Sequence, residues 1–237
     1  MARLKRFVVP GCAHHVLLKA MPGSVAFRDA DDYRLFAQAL RRSAIEQGVA
    51  LHAYALLPEE VQLLVTPAQA DGLGRMMQAL SRFYVPAFNR RHARTGTLWL
   101  GRYRAAPVGG GADLLTCMLG IEQAPQRSTV VVASDHQWSS AAHHAGSRND
   151  PTLTAAVPSE SDYWRLGNTP FERDAAYVAR LAQPLSPEEL LRLDSGGPKG
   201  WALGSGEFLA SLEGRTQRRV APRAKGRRKA NGPSVSN

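Results

Sequence analysis

Cysteine is nearly absent: Cys12 and Cys117 are the only two in 237 residues. They lie far apart, with no histidine or second cysteine at finger spacing beside either. That excludes a disulfide framework and a zinc finger, and it fits a reducing compartment. No apolar run approaches the roughly 18 to 20 residues that a bilayer-spanning helix needs, so a membrane-spanning protein is excluded. At the start, Arg3, Lys5 and Arg6 precede apolar residues, but Pro10, Gly11, His14 and His15 break the run a signal peptide would keep. The segment reads as mature structure. Acid is missing from two stretches. Residues 215–237 contain none, against eight bases: Arg215, Arg218, Arg219, Arg223, Lys225, Arg227, Arg228 and Lys229. Residues 72–112 contain none either, and carry Arg75, Arg82, Arg90, Arg91, Arg94, Arg102 and Arg104.

The whole chain has 30 Lys+Arg against 20 Asp+Glu, a net charge of +10 that falls to +2 without residues 215–237. A polyanionic partner is implied, and the arginines of 72–112 are the candidate face. Phe83, Tyr84, Phe88, Trp99 and Tyr103 lie among them, and arginines interleaved with aromatics suit tracking phosphates and stacking unpaired bases.

The hydrophobic fraction of 44% can fill a core. Residues 7–18 read as a strand. A helix follows, capped by Asp29, striped by Tyr33, Phe36, Ala37, Leu40 and Ala44, and ended by Gly48. Residues 49–57 and 61–66 read as a hairpin turned at Pro58-Glu59. Leu73, Met76, Met77, Leu80, Tyr84 and Phe88 predict a helix over about 71–92, kinked or broken at Pro86. Residues 98–108 read as a strand and 113–124 as a helix stopped by Pro125. The order βαββαβα predicts an α+β fold, an antiparallel sheet with helices on one face. Residues 1–145 form this domain, 146–213 a helical extension around 171–181 and 187–193, and 214–237 a basic, disordered tail.

The motifs in this order resemble the REP-associated tyrosine transposases, a branch of the single-tyrosine HUH transposases of bacteria. Val9-Pro10-Gly11, His14-His15-Val16, His52-Ala53-Tyr54, Leu57-Pro58, Leu63-Leu64-Val65 and Phe88-Asn89-Arg90-Arg91-His92 carry the first half. Thr95-Gly96-Thr97-Leu98-Trp99, Gly101-Arg102-Tyr103-Arg104-Ala105, Leu114-Leu115-Thr116-Cys117-Met118, Trp138-Ser139-Ser140, Gly200-Trp201-Ala202-Leu203-Gly204 and Arg218-Arg219 carry the second. The resemblance implies a ferredoxin-like HUH fold, a cytoplasmic bacterial protein associated with the nucleoid when bound, and single-stranded or hairpin DNA as partner. It leaves monomer or homodimer open.

Family chemistry needs two histidines at i and i+2 on a strand to hold Mg²⁺ or Mn²⁺, and a tyrosine that attacks the phosphate. Here the histidine positions are Glu60 and Gln62, and the tyrosine position is Gly120, before Ile121. Ala124-Pro125-Gln126 departs from the family in the same helix. The expectation is a DNA-binding transposase-like protein that does not cleave and takes no metal. The alternative is an active nickase with a rearranged site. Glu60 and Gln62 share a strand face and could offer oxygen ligands. Tyr84 and Tyr103 could supply a hydroxyl but read as packing residues. The adjacent pairs His14-His15 and His143-His144 would point to opposite faces and make poor chelators.

Overall fold

The computed structural model describes residues 7–128, 133–196, 200–216 and 219–221. Strand β1 (Ala13–Lys19) starts later than the sequence predicts. Pro10 brings no amide donor, and Gly11 turns the chain at a φ of 71°. Helix α1 (Ala30–Glu46) is capped as expected, Asp29 accepting from the amides of Asp31 and Asp32. Strands β2 (Val49–Leu57) and β3 (Glu60–Pro67) form the hairpin. Helix α2 (Gly72–Arg91) runs through Pro86 without the expected break.

Strand β4 is only Arg104–Val108. The predicted start at 98 fails because Gly101, at a φ of 74°, turns the chain after Leu98 and Trp99 have entered the core. Helix α3 (Ala112–Glu122) is followed at once by α4 (Ala124–Ser128). Pro125 therefore sits in the first turn of a new helix, where a missing amide costs nothing. Short α5 (Ala141–His144) precedes α6 (Pro170–Ala182), α7 (Pro187–Gly196) and α8 (Gly206–Thr216).

The antiparallel sheet runs β2-β3-β1-β4, the ferredoxin-like order. Its register places Val16 beside Leu63 and Ala105, and Leu17 beside Gln62 and Arg104. Alternation sends Val16, Leu18, Leu63 and Val65 to a first face under α1 and α2. Ala53, Ala55, Leu64 and Val108 face the other way, against α3, α6 and α7. Helices on one face alone, as expected, describes α1 and α2 only. β2 and β3 are apolar on both sides and would expose half their side chains without the second layer.

Residues read as an extension from 146 onward share this second core: Tyr163, Tyr177, Leu181, Leu185 and Leu193 are all buried in it. Both sheet edges are covered. Along β2, the amide of Leu56 donates to the Trp138 carbonyl, that of Ser140 to Tyr54, and that of Leu51 to Thr154 Oγ1. Along β4, the amide of Gly109 donates to Leu203 and that of Leu203 to Pro107. A third cluster joins Phe7 and Val9 to Leu212 and Val220. The tail read as disordered from 214 is therefore structured at its start: Gly214 to Thr216 finish α8, and Val220 is buried.

His14 shows what this burial does to titration. Its Nδ1 donates to the Cys12 carbonyl at 2.8 Å and its Nε2 accepts from the Val9 amide at 3.1 Å. Burial, which penalises the charged ring, pushes it from the usual 6.5 down to about 4. The unfolded chain binds a proton near pH 6.5 that the folded chain refuses until about pH 4. Stability is complete above that window and falls as pH drops through it, by up to about 3 kcal/mol from this ring. His15 and His52 shift in the same direction for the same reason. The urea midpoint is expected to be clearly lower at pH 4.5 than at pH 7.5; equal midpoints would refute the argument.

Candidate functional site

Glu60, Gln62 and Gly120, carried over from separate motifs, line one cavity of about 250 Å³ on the second face of the sheet. β3 alternation turns Glu60 and Gln62 the same way, and α3 packs across them. His15 and Lys19 on β1, Arg127 on α4, and Leu190, Leu193 and Asp194 on α7 complete the lining. A neighbouring cleft of about 440 Å³ shares Glu60, Gln62 and Arg127.

Inside the cavity the polar groups satisfy one another. His15 Nε2 pairs with Gln62 Oε1 at 3.2 Å, and Gln62 Nε2 donates to Glu60 Oε1 at 2.6 Å. Lys19 Nζ lies 3.3 Å from the other Glu60 oxygen. Arg127 donates to the Gly120 carbonyl at 2.6 Å. His15 Nδ1 is buried without a partner. Gly120 itself is crowded: a Cβ there would lie 2.3 Å from Leu193 Cδ1 and 3.4 Å from Leu185 Cδ1. The extension fills the space a larger side chain would need. Sequence reading missed His15, Lys19, Arg127 and Leu193, because only the register of β1 on β3 and the docking of α7 bring them here.

No described tyrosine lines this cavity or the neighbouring cleft. Tyr84 is fully buried on the opposite face, donating to the Ala26 carbonyl at 2.5 Å, and burial raises its phenol far above the ordinary value. Tyr103 is buried in the same core.

The arginines of 72–112 divide into two groups. Arg82 and Arg90 lie exposed on the outer side of α2, over the first face. Arg75, on the same side, pairs with Asp71 at 2.7 Å and with Gln47 at 2.9 Å. Arg102 and Arg104 are exposed near the other face, Arg104 level with Leu17.

Two arginines depart from the reading as nucleic-acid contacts. Arg91 is engaged by Asp29 at 3.0 Å, Asp31 at 3.6 Å and Asp32 at 3.1 Å. Arg94 donates to Asn89 Oδ1 and the Thr97 carbonyl and lies over the Phe88 ring. The acids come from α1, some sixty residues away, so the acid-free stretch gave no sign of them. Asp29, Asp32 and His92 also form a cluster with ligand-like spacing, but the Arg91 guanidinium already pairs with both carboxylates.

The aromatic platform needs a larger correction. Trp99, Tyr103, Tyr84 and Phe88 are all buried, and Tyr84 packs against the rings of Phe88 and Trp99 rather than facing solvent. Their helical and β spacing marks the core. Phe83 is the exception, 49% exposed. Of the basic tail, Arg215 ends α8 and Arg219 lies 5.7 Å over the Trp201 ring. Arg218, Arg223, Lys225, Arg227, Arg228 and Lys229 lie outside the described residues.

No protein-family model and no curated protein matches this chain. Solved structures do. A REP-associated tyrosine transposase bound to a REP hairpin aligns with a TM-score of 0.53 at 13% identity, covering 67% of this chain and all of that one. A structure from Deinococcus radiodurans R1, assigned to the transposases, aligns at 24% identity over 45% of this chain and 86% of its own, with a TM-score of 0.34. The first likeness is one of fold, and it agrees with the α+β sheet expected from the sequence. No described helix is long and apolar enough to cross a membrane.

Proposed function

We propose that this chain is a transposase-like protein that holds single-stranded or hairpin DNA without cutting it. One observation carries the reading: Glu60, Gln62 and Gly120 share a cavity, and the space at Gly120 is taken by Leu193. Strand cleavage by this type of site needs a nucleophilic hydroxyl at the phosphate and a cation to polarise it. At Gly120 there is no hydroxyl, and Leu193 sits where a side chain there would begin. The oxygens of Glu60 and Gln62 are poorly suited to hold a divalent ion, because Lys19 and the Gln62 amide already neutralise Glu60, and His15 occupies the Gln62 carbonyl.

Binding needs neither group. Exposed Arg82, Arg90, Arg102 and Arg104, together with the basic residues at the end of the sequence, supply the phosphate attraction, and the REP-associated neighbour carries a REP hairpin. A labelled palindromic hairpin with a single-stranded flank tests the reading with Mg²⁺ and then Mn²⁺. Retarded migration is expected, with neither a shortened strand nor a covalent protein adduct. An adduct would establish the active alternative. Deleting residues 222–237, with five of the bases, should weaken all binding alike and flatten the log–log salt dependence by up to about 3.5 on a single strand.

A further inference from the structure

The outer side of the first helical layer carries a groove that plays no part in the core. It lies between α1 and α2 and measures about 320 Å³, more than one nucleobase needs. Gln38, Arg42, Ser43, Glu46, Ala79 and Phe83 are among its lining residues, Glu46 being held by Arg42 at 2.7 Å, and a second hollow beside Arg41, Ile45 and Glu46 continues it along α1. Phe83 is held there by helix geometry: the α2 stripe from Leu73 to Phe88 faces the sheet, and Phe83 falls outside that stripe.

Charge selects the occupant. Arg75, Ala79, Arg82, Pro86 and Arg90 recur at three- and four-residue intervals, so they lie along the same exposed side of α2 as Phe83. Every acid on this side is matched: Asp31 pairs with Arg34, Glu46 with Arg42 and Asp71 with Arg75. Arg41, Arg82 and Arg90 make no ion pair among the described residues and are exposed. An exposed ring in a groove, with unmatched Arg41 in the adjoining hollow and Arg82 and Arg90 on the same helix as the ring, suits a polyanion with flat faces. An apolar protein segment would gain nothing from the arginines, and a simple polyanion would gain nothing from the ring.

We infer that the α1–α2 groove takes an unpaired base of single-stranded DNA, stacked on Phe83, with Arg82 and Arg90 on the flanking phosphates. This deepens the DNA-binding reading and rests on it. The contact lies across the sheet from the Glu60–Gln62–Gly120 cavity, so a strand can be held here whether or not that cavity is filled.

The test compares a short oligothymidylate strand and a fully paired duplex, each titrated with the wild-type chain, Phe83→Leu, Phe83→Trp and Arg82→Ala. Phe83 is half exposed, so none of these changes opens a core. Stacking on one base predicts that Phe83→Leu weakens single-strand binding about 5- to 100-fold, while Phe83→Trp keeps it and duplex binding does not change. Arg82→Ala should lower the single-strand salt slope by about 0.7. A 2-aminopurine in the strand should be quenched by the wild type and not by Phe83→Leu. If the wild type binds the strand and Phe83→Leu binds it equally well, this inference fails and the DNA-binding reading stands. If the wild type binds neither strand nor hairpin, both fail. If Phe83→Leu changes only the sedimentation of the free chain, the groove is a contact between two copies, and the inference fails.

Discussion

Gly120→Tyr, the change that would place a tyrosine where the resemblance to the REP-associated tyrosine transposases puts the nucleophile, is expected to destabilise the chain by about 3 kcal/mol. A Cβ at Gly120 already meets Leu193 Cδ1 at 2.3 Å, and a phenol ring extends several ångströms beyond that. A single methyl is another matter. Leu193 can rotate a terminal carbon away, and alanine gains roughly 1 kcal/mol over glycine in a helix interior, so Gly120→Ala should be nearly neutral. The ring needs more than that rotation: Leu193 has to leave the space, by turning toward the adjoining cavity or by a shift of α7 or α3.

Leu193→Ala alone opens a hole and should cost about 2 to 4 kcal/mol. Combined with Gly120→Tyr it should cost less than the two changes added together, because the ring fills the hole, with a coupling of about 1 kcal/mol or more. Urea denaturation of the four members of the cycle measures this; strict additivity would show that Leu193 does not occupy the space. The triple change Glu60→His, Gln62→His, Gly120→Tyr is therefore expected to yield no hairpin cleavage unless Leu193 is shortened as well.

The second large effect lies at Glu122, the one fully buried carboxylate of α3. Its Oε1 accepts from Ser140 Oγ at 2.5 Å and His144 Nδ1 at 2.6 Å, and its Oε2 accepts from the Tyr177 hydroxyl at 2.5 Å. Three donors from two separate segments, α5 with its N-cap and α6, converge on one side chain. Burial and the neighbouring carboxylate hold the Tyr177 phenol well above its ordinary value, so the proton stays on tyrosine and its hydroxyl remains a donor.

Glu122→Ala removes the acceptor for all three and leaves them without water, an expected loss of about 3 to 5 kcal/mol. Glu122→Gln keeps the shape but offers one carbonyl where two charged oxygens stood, and should lose about half as much. Tyr177→Phe strands a single acceptor and should cost about 1 to 2 kcal/mol. Chemical denaturation ranks the three variants; an alanine variant as stable as the glutamine one would mean that the hydrogen bonds contribute little.

Local signals in the sequence were read well. Asp29 capped its helix, Val49 to Leu57 alternated as a strand, and the i, i+2 relation of Glu60 and Gln62 put both on one face. Each depends on residues close in the chain. What failed depends on residues far apart. Tyr84, Phe88 and Trp99, interleaved with arginines, suited a stacking platform as well as a core, and the structure places all three in the core. Arg91 stood in an acid-free run, yet three aspartates from α1 reach it. Polar residues inside family motifs, His52 and Tyr54 among them, hold the chain between 136 and 157 against β2: His52 bonds to the Ala156 carbonyl and Tyr54 to Asp150. Such long-range partners leave no periodic trace.

The covered sheet edges set an order of events during synthesis. The hairpin of β2 and β3 can form as soon as it leaves the ribosome, but the stretch that caps β2 follows about eighty residues later, and the stretch that caps β4 later still. Until then the nascent sheet presents unpaired amides and carbonyls along both margins, the template on which partly made chains pair with one another. Chaperone dependence should be concentrated in that interval, before Trp138 and Leu203 arrive to close the two edges.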